Sequence, residues 1–217
     1  MLLKYKHIIL TYILSDGKIQ KLLRRLMFSI NGTQISANCQ NNNIHLRCHM
    51  KNTKLKICGK YNNVFIDEGT VLNGCKIEIK GNNNNLHIGR NNTIRDCSFG
   101  IIDNRSSIII GNNGSTGETE FVSMEGNMVF IGDNFMFAKG IRIRNGDSHS
   151  ILNNLGERIN AAKDVFIGKN VWLASNCIIL KGSRILDNSI VAAGAVVTKS
   201  FDQGNIILSG CPAQIKK

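Results

Sequence analysis

The sequence predicts an all-β protein, a triangular parallel β-solenoid, and three observations predict it. Aliphatic residues return at every sixth position across 167–202: Ile167, Leu173, Ile179, Ile185, Val191 and Val197. The residue four places after each is small or apolar, namely Val171, Cys177, Ser183, Ser189 and Ala195, with the larger Phe201 at the end. A helix repeats its apolar stripe at three and four and a half-buried strand at two, so a fixed period of six fits neither. Short strands joined by tight corners fit it, each sending one aliphatic side chain into a narrow interior, with three sixes to a coil. An earlier ladder, Leu46, Ile66, Ile88, Ile110 and Ile131, carries a second aliphatic two residues before each rung: Ile44, Val64, Leu86, Ile108 and Val129. Its spacings of 20, 22, 22 and 21 describe coils with one or two enlarged corners. Asparagine clusters at 41–43, 62–63, 82–85, 91–92 and 112–113 keep the phase of that ladder. Sharp corners need residues that tolerate left-handed backbone angles, and Asn and Gly tolerate them best. A random polar tract has no reason to stay in phase.

The totals agree with a thin interior. Of the 217 residues 42% are apolar but only 6% aromatic, and a narrow solenoid takes Ile and Val while leaving little room for rings. The length allows one domain with an appendage: a terminal segment, 1–30, and a solenoid domain, 31–217. The balance of 27 basic against 15 acidic residues, +12, points to an anionic partner. No nucleic-acid motif with interleaved aromatics accompanies it, whereas an acidic polysaccharide or a phosphorylated cofactor fits. Seven cysteines form no CxxC pair and no zinc-spaced cluster, so they read as reduced small hydrophobes of a cytosolic protein. No run approaches the roughly 20 apolar residues that span a bilayer. The short apolar run 8–14 behind Lys4 and Lys6 lacks a small-residue cleavage site, so no signal peptide is expected.

In chain order, residues 16–30 place Ile19, Leu22, Leu23, Leu26, Met27 and Ile30 at three/four spacing among Lys18, Lys21, Arg24 and Arg25. This predicts a short basic amphipathic helix with Ser15 or Asp16 as N-cap. It either covers the open end of the solenoid or rests on the inner face of an anionic membrane. The 36 residues between Ile131 and Ile167 are two coils' worth; regular sixes continue through Phe137 and Ile143 and then fail. Residues 149–163 therefore read as one loop thrown out of the solenoid, where function concentrates. Cys75 and Cys97, 22 apart, are expected to stack in neighbouring coils. A last short strand at 206–208 precedes the turn Gly210-Cys211-Pro212-Ala213.

Candidate chemistry gathers at that loop. His149, the only histidine in the second half of the chain, stands at its mouth. Histidine titrates near neutral pH and serves as a general base toward a hydroxyl. Trp172, the sole tryptophan, follows 23 residues later, and one coil across the loop's base would bring it back beside His149. The run Ala192-Ala193-Gly194-Ala195 lets a ligand approach backbone amides closely, and Lys181 and Lys199 are candidates for phosphates. Arg142 and Arg144 lead up to His149 and suit a carboxylate on an acceptor. Asp147 is a candidate to orient the imidazole.

These residues also carry a resemblance. His149-Ser150-Ile151, Gly156-Glu157-Arg158-Ile159-Asn160, Val165-Phe166-Ile167-Gly168, Val171-Trp172-Leu173, the stretch 190–197 and Gly210-Cys211-Pro212-Ala213 are similar to the hexapeptide-repeat acyltransferases. The closest flavour is the sugar and capsular polysaccharide O-acetyltransferases, including those acting on polysialic acid. The resemblance covers about 129–215, with Cys211 in place of the usual polar residue and Ala161 where proline is common. It implies a left-handed parallel β-helix, a homotrimer with intersubunit active sites, and acetyl-CoA as co-substrate with no metal. Carried over by position, it makes His149 the catalytic base, working with Trp172. It makes Trp172, Ala174, Ala192, Ala193, Gly194 and Lys199 the acetyl-CoA contacts; Arg142, Arg144 and Asp147 are expected as acceptor contacts from their place before His149 and not from the resemblance. The expected activity is O-acetylation of a sugar hydroxyl on an acidic, sialic-acid-type surface polysaccharide. N-acetylation of a nucleotide-linked amino sugar and a non-catalytic binding solenoid are the alternatives. A β-helix carbonic anhydrase is rejected, because His149 has no companion histidine within a coil.

Overall fold

A computed structural model describes residues 31–37 and 41–216. The basic helix expected at 16–30, with its capping or membrane-facing role, and Cys39 lie outside the described residues.

The described chain winds through three sheets in strict rotation, here called faces A, B and C. They hold eight, seven and nine strands. Face A runs from Gln34–Ala37 to Val196–Val197, face B from Asn43–Leu46 to Arg184–Ile185, and face C from His49–Lys51 to Gln214–Ile215. Neighbouring strands are parallel and in register, except that Ile207–Ser209 and Gln214–Ile215 close face C as an antiparallel pair.

The six-residue ladder builds the core as its period dictates. Ile167 stacks on Ile185 in face B, Leu173 on Val191 in face C, and Ile179 on Val197 in face A. All six side chains are fully buried, each gaining about 1.5–3 kcal/mol from leaving water. The companion row Val171, Cys177, Ser183, Ser189, Ala195 and Phe201 is buried at the corners. The earlier ladder from Leu46 to Ile131 is the inner row of face B.

Asparagine does two jobs here, where the sequence reading assigned one. Asn52, Asn83, Asn91, Asn113, Asn134, Asn170, Asn176 and Asn188 hold corners at positive φ. Asn42, Asn62 and Asn84 are instead buried at successive corners between faces A and B. There Asn62 N–H donates to Asn42 Oδ1, Asn84 N–H to Asn62 Oδ1 and Ser106 N–H to Asn84 Oδ1, each at 2.9 Å. The side-chain ladder satisfies amides that the corner turns away from the sheets.

One count changes. Ile131 pairs directly with Ile167, so the 36 residues between them are one coil plus a loop rather than two coils. The loop leaves at the A–B corner, between Ile141–Arg144 of face A and Val165–Ile167 of face B. Cys75 and Cys97 occupy equivalent corners of neighbouring coils as expected, and with Cys48 and Cys177 they are buried. Cys58 and Cys211 are exposed, against the expectation that the cysteines serve as small core residues. The strand expected at 206–208 is Ile207–Ser209, and the Cys211–Pro212 peptide in the following turn is cis.

Candidate functional site

The loop is built on a narrow neck. Lys163 N–H donates to Asn145 O at 2.9 Å, joining its two limbs. Gly146 fits there because it lacks a side chain: a Cβ would lie 2.7 Å from Met124 Sδ and 3.3 Å from Ala162 Cβ. Val122, Met124 and Ala162 form a small apolar plug beneath the neck, separate from the main core. Beyond it the loop folds back on itself through an antiparallel bridge between Leu152 and Arg158.

Polar groups hold the neck from above and below. Glu125, at the same corner one coil earlier, accepts from Arg158 Nη2 at 2.6 Å and from Ala162 N–H at 3.1 Å. Lys181, at the same corner one coil later, donates to Asp147 Oδ2 and, at 2.9 Å, to Asn160 O. Asn160, buried among them, donates from Nδ2 to Asp147 Oδ2 at 2.8 Å and to His149 O at 2.7 Å. Its Oδ1 accepts from Ile151 N–H at 2.7 Å. The Lys181 ammonium, and then the Asn160 amide, hold the Asp147 carboxyl below its usual range. The Arg158 guanidinium, helped by Ala162 N–H, does the same for Glu125.

His149 stands exposed at this neck, its main chain fixed through its carbonyl. Ser148 before it adopts φ 66°, a left-handed angle uncommon for serine, and its Oγ accepts from Arg144 Nη2 at 3.2 Å. Arg144 Nε is buried with no hydrogen-bond partner among the described residues. Arg142 is exposed one pleat earlier on the same strand. The neck thus gathers His149, Arg144 and Asp147 as the sequence predicts, but the Asp147 carboxylate is taken up by Lys181 and Asn160. It braces the loop, and among the described residues the imidazole is not a hydrogen-bond partner of its carboxylate.

Trp172 lies elsewhere on the prism. It is 45% exposed on face C, paired with Met136 and Ile190. The A–B corner carrying His149 is the vertex opposite that face, so the expected proximity of the two does not occur within one chain. The reason is the loop: its residues leave the solenoid, so 23 residues of sequence advance the coil only from the corner across face B to face C.

Trp172 does sit with most of the predicted acetyl-CoA contacts. Ala174, Ala192, Ala193 and Gly194 occupy the adjoining C–A corners of two successive coils. A Cβ on Gly194, at φ 71°, would meet nothing within 4 Å, so the surface there is open. Three of the four amides are committed elsewhere, however. Ala174 N–H is spent on Val191 O, Ala192 N–H on Leu208 O and Gly194 N–H on Ser175 O. The corner offers mainly smoothness and close approach. Lys199 stands at the far end of face A, at the A–B corner, its Nζ 5.5 Å from the Phe201 ring centroid. Lys181 is committed to the neck and not available to a phosphate.

Sequence reasoning missed Asn160, Lys181 and Glu125 as a unit. Also missed were the four exposed apolar residues of the loop, Ile151, Leu152, Leu155 and Ile159, of which Leu155 is 81% exposed. Their non-periodic spacing in a stretch without strand pattern was the available signal.

Comparison with known proteins supports the architecture. Residues 164–199 match the family described as bacterial transferase hexapeptide (six repeats). Over 68 residues the chain is 50% identical to a polysialic acid O-acetyltransferase of Neisseria meningitidis, covering 30% of this chain and 31% of that protein. Over 90 residues it is 34% identical to a galactoside O-acetyltransferase of Lactococcus lactis, covering 41% and 42%. The chain thus spans less than half the length of these curated relatives. The crystal structure of the polysialic acid O-acetyltransferase OatWY superposes with a TM-score of 0.77 at 34% identity, over 85% of this chain and 88% of that one. Six-residue rungs, three faces in rotation and that extended likeness have one explanation: the chain belongs to the hexapeptide-repeat acyltransferases, which are left-handed parallel β-helices.

Proposed function

We propose that the protein is an acetyl-CoA-dependent O-acetyltransferase acting on a hydroxyl of an acidic, sialic-acid-type surface polysaccharide, with His149 as general base. The observation that carries this reading is His149 itself: exposed, on a clamped loop, with arginines leading to it. The likeness to polysialic acid O-acetyltransferases supports the acceptor class. So does Arg144, whose guanidinium among the described residues meets only the Ser148 hydroxyl and suits a carboxylate. Arg142 adds a second exposed guanidinium on the same strand.

In the reaction, neutral His149 takes the proton of the sugar hydroxyl as its oxygen attacks the thioester carbonyl. A hydrogen-bond donor stabilises the oxyanion. Collapse expels CoA as thiolate, which takes the proton back from the imidazolium, leaving the acetyl ester and free CoA. Trp172, Ala174, Ala192, Ala193 and Gly194 supply an open, small-residue corner suited to a slender pantetheine arm, and Lys199 is proposed for the nucleotide phosphates.

Because His149 and Trp172 lie on opposite sides of one prism, the complete site takes the loop of one subunit and face C of the next, in a homotrimer. Exposed Met136 and Trp172 on face C and the apolar loop residues supply complementary surfaces. This reading assigns the protein to the cytoplasm, where acetyl-CoA is made.

The test is acceptor-dependent release of CoA from acetyl-CoA, with polysialic acid, a neutral galactoside and a nucleotide-linked amino sugar as acceptors. Release with polysialic acid, reduced about 10²–10⁴-fold in His149→Ala, is expected. Release with the amino sugar alone moves the assignment to N-acetylation. No release and no acetyl-CoA binding leaves a non-catalytic solenoid.

A further inference from the structure

The A–B corner is a filled structural ladder in the early coils, held by Asn42, Asn62 and Asn84. At the coil of the loop Asn145 is still buried there, its Oδ1 accepting from Met124 N–H at 2.9 Å, and a polar bracket is added outside it. Glu125 reaches up from the coil before, and Lys181 reaches down from the coil after. Between them Asn160 touches both limbs of the neck: Asp147 and the His149 carbonyl on one, and through its own carbonyl Lys181 on the way out. The side chain is almost wholly buried, and both hydrogens of its amide are used on the limb that carries the imidazole.

We infer that Asn160 and Lys181 are positioning residues for His149, fixing where the imidazole stands by holding the main chain at 147–149. This rests on the assignment of His149 as base. The chemistry supports a positioning role over a merely stabilising one. The bracket is peripheral to the core, whose ladder runs past the loop unbroken from Val129 to Val165 and Ile131 to Ile167. Its loss leaves the solenoid paired and frees only the limb. A general base misplaced by about 1 Å loses on the order of 10²-fold in rate. Asparagine is needed for its mixed character. Nδ2 must donate to a carboxylate and a carbonyl while Oδ1 accepts from Ile151 N–H and Arg158 Nε. Aspartate has the shape and the acceptors, but at neutral pH it has no donor and repels Asp147.

The experiment compares wild type with Asn160→Ala, Asn160→Asp, Lys181→Met and His149→Ala in CoA release from acetyl-CoA with polysialic acid. The Cε1–H resonances of ¹³C-labelled histidine are recorded on each protein, His149 being assigned by its absence in His149→Ala. Expected are a kcat about 10–100-fold lower in both Asn160 variants and in Lys181→Met, KM for each substrate within about threefold, and a displaced or broadened His149 resonance. Asn160→Asp should be no better than Asn160→Ala. Wild-type kcat with an unmoved His149 resonance in the Asn160 variants overturns the inference. So does a loss confined to KM. If His149→Ala retains full turnover, the base assignment fails instead. The bracket is then judged on the resonance alone, an unmoved line overturning it. Should an Asn160 variant not fold, Lys181→Met decides.

Discussion

Asn62 shows how much a single buried amide carries in this fold. Its Oδ1 accepts from Asn84 N–H, and its Nδ2 donates to Asn42 Oδ1 and Gly81 O at 3.0 Å. Asn62→Ala strands Asn84 N–H and Gly81 O, while Asn42 Oδ1 keeps the Asn62 main-chain N–H, and a loss on the order of 3 kcal/mol, read as a lowered thermal midpoint, is expected. Ile179→Ala, deep in face A, should cost about 2–5 kcal/mol by opening a cavity that the rigid coils cannot close. Arg144→Ala should act on recognition instead, raising KM for polysialic acid while leaving a neutral galactoside unaffected. At this scale the inner residues were legible because a narrow interior admits few side chains and repeats its demand every six positions. His149 stood out as the only histidine in the second half of the chain, at the break in the repeat. Asn160 and Lys181 were not. A polar residue in a polar stretch looks the same whether it is solvated or is bonded to partners 13 and 34 positions away.

Among elements, the neck sets the loop. Both neck carboxylates are depressed, Asp147 chiefly by Lys181 and Glu125 chiefly by Arg158. A depressed carboxylate contributes order that is complete above its unfolded pKa and is lost as pH falls through its lower folded value. The unfolded values lie near 4, so the neck stays intact through neutral and mildly acidic solution and opens only below that range. Limited proteolysis across 150–160 should therefore show protection unchanged between about pH 8 and 5 and lost below about pH 4. A loss of turnover between about pH 8 and 5 is then not the loop coming undone. The sequence marked this element by its failure to repeat, but its residues were counted as coil. That error alone produced the false neighbourhood of His149 and Trp172, since position along a solenoid is set by residues inside the coil.

For the whole molecule, the separation of His149 from Trp172 has a measurable outcome. If each site takes one from each of two subunits, His149→Ala and Trp172→Ala are defective separately but complement when mixed. Random co-assembly in equal amounts leaves about one quarter of interfaces with both native residues. Co-expression should restore about that share of wild-type turnover, whereas sites contained within one chain give no recovery. The threefold rotation of strands, the parallel register and the one-sided loop were all implicit in the six-residue period. Any association between copies of the chain is not, because it would depend on outward residues that the period leaves free. The same independence reaches further. Phe130 and Phe166 stack with centroids 5.0 Å apart across the point where the loop departs, as though the intervening chain had never been inserted. The scaffold is therefore indifferent to the length and content of what leaves that corner. Segments can be inserted, deleted or exchanged there with the prism inherited unchanged.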